Sequence, residues 1–142
     1  MLKAVLDTNI FVSSLLSKAG RPAMVIDTWR AGQYLLVTSR SIISEIKRVV
    51  EAPNIRKKYG LSHDQIERLI LLLEKDAIVV PGLSAVTGAI PKDPDDEIFL
   101  SAAIDAKADI IVSGDRQLLD LGEYKDIPIF TVRQFLELLE KQ

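Results

Sequence analysis

A chain of 142 residues is the size of one compact domain and is long enough to bury most of the apolar surface that a stable fold needs. With 48% apolar and 27% charged residues it has a globular composition, and its longest apolar run, Leu69 to Leu73, is far too short to cross a bilayer. The lack of cysteine excludes disulfides, thiolate zinc sites and cysteine nucleophiles, while a formal charge of −2 neither requires nor excludes a polyanionic partner.

The expectation is therefore one soluble domain over residues 1–142 with no membrane partner. Asp7 interrupts the first apolar stretch before it can form the core of a secretory signal, so a cytoplasmic location follows by default. In chain order, Lys3 to Leu6 reads as a strand, Ala23 to Ala31 as a helix, Tyr34 to Thr38 as a strand and Ser41 to Glu51 as a helix. The basic stretch Glu51 to Gly60, with Pro53 and Arg56-Lys57-Lys58-Tyr59, reads as a short irregular helix or turn. A helix over Ser62 to Lys75 follows, opened by the capping-box pair Ser62 and Gln65, and then a strand over Ile78 to Val80. Pro81 to Pro91 reads as a loop. Asp93-Pro94 opens a helix running to Ala106, and Ile110 to Ser113, Ile129 to Val132 and Thr131 to Lys141 complete the pattern as strand, strand and helix. Continuous apolar strands alternating with helices predict a three-layer α/β/α domain around a central parallel sheet of about five strands.

Ligands of open parallel sheets bind beyond the carboxyl ends of the strands, so acids at those ends are the first candidates for chemistry. Asp7 ends the first strand in V-L-D-T-N, and Asp115 follows the Ile110 strand in I-I-V-S-G-D, with Gly114 expected to make a tight turn that presents the carboxylate. Glu45 lies three residues after Ile42 and four before Val49, which places it beside the inward stripe of its helix. Asp96 precedes Phe99, Leu100 and Ala103 by three, four and seven residues, which places it on the inner side of a helix start.

Four such carboxylates would raise one another's pKa unless cations neutralised them. Hard oxygen donors without sulfur or imidazole favour Mg²⁺ or Mn²⁺, as one ion or two, and those ions activate water and offset charge at a phosphodiester. If four of the 20 acids are neutralised in this way, the 16 that remain face 18 basic residues, which softens the objection to a nucleic-acid substrate.

V-L-D-T-N, the serine-rich helix start before Glu45, K-D-P-D-D-E-I-F-L-S-A-A and A-D-I-I-V-S-G-D-R-Q-L-L together resemble the ordered motifs of PIN-domain proteins. The resemblance covers nearly the whole chain. It implies a PIN-like fold, a Mg²⁺- or Mn²⁺-dependent endoribonuclease acting on RNA, and, as in small VapC-like prokaryotic members, a toxin paired with an antitoxin protein. Position by position it assigns the four acids to Asp7, Glu45, Asp96 and Asp115, with Asn9 and Ser113 as supporting polar residues. The run D-P-D-D-E departs from the single acid of many VapC-like sequences, so Asp93, Asp95 or Glu97 competes for the third position; the spacing to Ala103 ranks Asp96 first and Asp95 second. A homodimer is also implied, with Trp29, Ile66, Leu69 and Leu72 as candidate contacts.

Each acid has a plainer role open to it: Asp7, with Thr8 and Asn9 behind it, as a helix cap, Asp115 as a turn residue, Glu45 as a solvated edge residue and Asp96 as part of an acidic helix start. Only their joint occurrence favours a site. Lys47, Arg48 and Arg116 are candidate RNA contacts, and Arg56, Lys57 and Lys58 extend the basic group, with ordinary solvated surface as the alternative. His63 reads as a surface residue, and Trp29 and Tyr34 as core or interface. Two other functions compete: a catalytically silent PIN-like module that binds RNA or a partner, and a phospho-acceptor signalling domain. The second needs an acceptor aspartate ending a middle strand near residue 50, where this sequence reads as helix.

Overall fold

The computed structural model describes residues 1–86 and 96–142. Among them the strands are β1 (Lys3–Leu6), β2 (Leu35–Ser39), β3 (Ile78–Val80), β4 (Ile110–Val112), β5 (Glu123–Tyr124) and β6 (Ile127–Phe130). The helices are α1 (Thr8–Leu16), α2 (Arg21–Arg30), α3 (Arg40–Glu51), α4 (Pro53–Tyr59), α5 (His63–Asp76), α6 (Glu97–Ala106), α7 (Arg116–Leu121) and α8 (Val132–Glu140).

The sheet order is β3-β2-β1-β4-β6-β5. All neighbours are parallel except β5, a two-residue edge strand that pairs antiparallel with β6. Ala4 to Leu6, Leu36 to Ser39 and Ile110 to Val112 are buried, as strands covered on both faces by helices must be. The chain winds outward from β1 through β2 to β3, then α6 carries it back past these strands to β4 on the far side of β1. With right-handed crossovers, that reversal puts the two sets of helices on opposite faces and gives the three-layer α/β/α arrangement. It also leaves a crevice between the carboxyl ends of β1 and β4, where the strand order switches.

Two helices go beyond the sequence expectation. α1 and α7 follow β1 and β4 directly; α1, T-N-I-F-V-S-S-L-L, has its apolar residues in two consecutive blocks rather than in a clear helical stripe, and α7 has only six residues. The basic stretch before Gly60 is the regular helix α4, closed by Gly60 in the left-handed conformation at φ 62°. The last sheet strand is Ile127–Phe130 rather than Ile129 to Val132, because Thr131 caps α8 through a reciprocal bond pair with Gln134. The matching pair of Ser62 and Gln65 opens α5 as expected. The expected helix start at Asp93-Pro94 lies outside the described residues, and α6 begins at Glu97.

Tyr34 and Trp29 belong to the core. Tyr34 donates its hydroxyl to the Val25 carbonyl and meets Phe135 edge-on at 4.9 Å between ring centres. Ile66 and Leu69, expected as dimer contacts, are buried with Trp29 in the same core, because the inward face of α5 needs them there; the exposed apolar side chain of that helix is Leu71. His63 is a surface residue 4.0 Å from Glu67.

Candidate active site

Asp7 leaves β1 and Asp115 follows β4, so both stand at the crevice where the strand order switches. Glu45 reaches the same place from α3, one face of which carries the buried residues Ile42, Ile46 and Val50. Asp96 reaches it from the N-cap position of α6, whose buried Phe99, Leu100 and Ala103 dock the helix on the sheet. These four carboxylates, with Thr8, Asn9, Val49 and Phe99, line one cavity of about 80 Å³. That space takes an ion with a few waters and is too small for a nucleotide, so a polymer substrate would have to approach from outside it.

Capping and cavity-lining coexist in the strand-end acids. Asp7 Oδ1 accepts the Ile10 N–H at 3.1 Å and so caps α1, while Oδ2 accepts the Ser113 hydroxyl and the Gly114 N–H at 3.1 Å. Asp115 Oδ1 accepts the Gln117 N–H at 2.7 Å and caps α7. Ser113 is fully buried, and its oxygen also accepts the Asp115 N–H at 2.9 Å, so one hydroxyl links the two acids. Gly114 makes no left-handed turn, and a Cβ there would meet nothing within 4 Å; what it supplies is its N–H, a donor any non-proline residue has.

Burial pushes the Asp7 carboxyl above its ordinary value despite the bonds from Ser113, Gly114 and Ile10 that oppose the shift, and the charge of nearby Asp115 adds to the rise. The Thr8 hydroxyl donates to Glu45 Oε2 at 2.5 Å, a contact that sequence reasoning missed since the partners lie 37 residues apart. On the other side of Glu45, Arg48 lies 3.6 Å from Oε1 and is otherwise largely exposed. Lys47, Arg116 and Asn9 are exposed, Asn9 at the cavity itself. Asp93 and Asp95 lie outside the described residues.

The donor set suits a hard divalent cation: four carboxylates, with neither nitrogen nor sulfur ligands. A positive ion would also reverse both effects that raise Asp7, by repaying burial and screening Asp115. As they stand the four acids surround the cavity without converging; among the described residues no three acids or histidines form a ready-made ligand group. A larger hollow of about 770 Å³ lies between α1, α2 and α5, walled by Leu15, Ile26 and Leu72 with Lys18 and Arg30 among its lining, and it shares no lining residue with the acidic cavity. Among the described residues no helix is long and apolar enough to cross a membrane.

A family model described as PIN domain matches residues 3–117, a span that contains all four acids. An uncharacterized protein of Methanocaldococcus jannaschii is 28% identical over 148 aligned positions, which cover 99% of this chain and 93% of the relative. PIN domains are generally nucleases that bind RNA and typically use divalent metals. The chain belongs to the PIN-domain family and has its nuclease-type fold.

Proposed function

We propose that this protein is a Mg²⁺- or Mn²⁺-dependent endoribonuclease whose cation is held by Asp7, Glu45, Asp96 and Asp115, with Asp95 as the competing third ligand. The observation that carries the reading is the lining of one small cavity by all four acids, drawn from two strand ends and two helices. Bound there, a divalent cation would activate water and offset the charge that grows on a phosphodiester under attack.

The chain's own groups have defined parts in this reading. Ser113, Gly114 and Ile10 fix both oxygens of Asp7, and the Gln117 N–H fixes one oxygen of Asp115, so these two acids are oriented before any ligand arrives. Exposed Lys47, Arg48 and Arg116 supply positive charge for substrate phosphates. Water attacks phosphorus and the bond to the 3′ oxygen breaks, which leaves a 5′-phosphate and a 3′-hydroxyl. Incubation of end-labelled single-stranded RNA with the protein tests this: cleavage should need Mg²⁺ or Mn²⁺, stop with chelator and disappear in Asp7→Asn. Cleavage by folded Asp7→Asn protein would overturn the assignment.

The toxin role is a further part of the proposal, in which the protein is a cytoplasmic homodimer paired with an antitoxin. The apolar-walled hollow between α1, α2 and α5, with Lys18 and Arg30 at its side, favours a protein partner at that surface. Arrest of bacterial growth on induction, relieved by co-expression of a neighbouring small protein, is the expected result. Unaffected growth would remove the toxin role, and a monomeric mass in solution the dimer.

A further inference from the structure

Glu45 is held on both of its carboxylate oxygens, each by a different kind of partner. Its Oε2 accepts the hydroxyl of Thr8, which is 6% exposed and begins α1 directly after Asp7. Its Oε1 lies 3.6 Å from the guanidinium of Arg48, three residues on along α3, whose side chain is 71% exposed. Both contacts are made at once, one on each oxygen. Thr8 lines the cavity beside Asp7, whereas Arg48 is absent from that lining and its side chain is largely exposed.

We infer that Thr8 is a positioning residue that holds Glu45 in its ligating orientation against the outward pull of Arg48. The inference rests on the proposed cation site and adds to it a residue that binds nothing itself. Because Asp7 and Thr8 are consecutive, the same first turn of α1 fixes one acid through its backbone and a second through a side chain from another helix. The Thr8 hydroxyl is buried and donates directly to a carboxylate oxygen, whereas the ion pair at 3.6 Å is made by a largely exposed arginine and is the weaker hold. Removing Thr8's donor leaves Arg48 as the remaining hold, and the carboxylate swings out.

The opposed pulls give a test with opposite signs. Thr8→Val keeps the shape and deletes the donor; it should weaken Mn²⁺ binding, read by calorimetry or electron paramagnetic resonance without RNA, by about tenfold, the scale of losses from groups that orient metal ligands. Thr8→Ser should restore affinity. Arg48→Gln in the Thr8→Val background should recover much of the loss, because nothing then draws Glu45 outward. A crystal structure of cation-free Thr8→Val should show the Glu45 carboxylate turned onto Arg48. Unchanged Mn²⁺ affinity in Thr8→Val, or a loss that Arg48→Gln does not relieve, would overturn the positioning role while leaving the cation site intact. Failure of the wild-type protein to bind Mn²⁺ at all would instead overturn the site and the positioning role with it.

Discussion

Two aspartates in this molecule accept several hydrogen bonds each and are shifted in opposite directions. Asp7, almost fully buried, accepts from the Ser113 hydroxyl and the Gly114 and Ile10 N–H groups, yet burial outweighs these bonds and raises its pKa. Asp105, on α6 and partly open to water, accepts from the Ser84 hydroxyl and from the N–H groups of Gly82, Leu83 and Ser84, and its pKa is lowered, first by the hydroxyl and then by the loop's N–H groups. Hydrogen bonds favour the ionised form in both places. Only at Asp7 does desolvation exceed them.

The difference separates an anchor from a candidate ligand. Asp105 ties the segment after β3 to α6, helped by Ser101, which donates to the Ser84 carbonyl at 2.9 Å. That tie is complete within the chain. At Asp7 burial raises the pKa despite three hydrogen bonds, an environment consistent with the proposed cation site.

The largest effect expected from this contrast is on activity. Asp7→Asn should lower RNA cleavage by about a thousandfold or more, equivalent to roughly 4 kcal/mol in the barrier, whereas Asp105→Asn should leave turnover within about threefold. Initial rates under saturating Mg²⁺ measure both, and equal losses would erase the distinction. Next comes Ser113→Ala, which removes a donor from Asp7 and should weaken Mn²⁺ binding or activity by about ten- to a hundredfold with the fold retained. Wild-type affinity in that variant would show that Ser113 only fills space.

Stability against pH should separate the two aspartates by sign. Asp105's folded pKa is below its unfolded value of 3.8, so its contribution is complete above 3.8 and is lost as pH falls through the folded value; Asp105→Asn should remove that acid limb. Asp7's folded pKa is above 3.8, so its cost is full at higher pH and is relieved as pH falls through the folded value toward 3.8. Saturating Mg²⁺ should abolish the Asp7 trend, since it favours the carboxylate. Unfolding midpoints across acid pH, with and without chelator, read both limbs, and a trend of the same sign for the two would break the comparison. The smallest effect belongs to Gly114→Ala, expected to change stability by no more than about 0.5 kcal/mol, because the added Cβ meets nothing.

Much of the candidate site's geometry is legible in the sequence because its logic is local. Asp7 and Asp115 end apolar strands, and Glu45 and Asp96 show their inward phase in the spacing to Ile42, Val49, Phe99 and Ala103. The reading failed where partners are distant or elements short. Nothing near Glu45 points to Thr8, 37 residues away, and nothing near Asp105 points to the Gly82–Ser84 segment more than twenty residues earlier. α1 has no clear helical stripe and α7 and β5 are too brief for any period to show. Arg48 differs: its i,i+3 spacing to Glu45 is visible in the sequence, but neither an RNA contact nor solvated surface, the two roles considered for it, includes its hold on the acid.

The central claim is that four carboxylates gather one divalent-cation site at the β1–β4 crevice. A crystal soaked in Mn²⁺ and measured at the manganese absorption edge tests it most directly. The account predicts anomalous density in the cavity between Asp7, Glu45, Asp96 and Asp115; a soaked crystal with no manganese there, or with manganese held only by other acids, would contradict it.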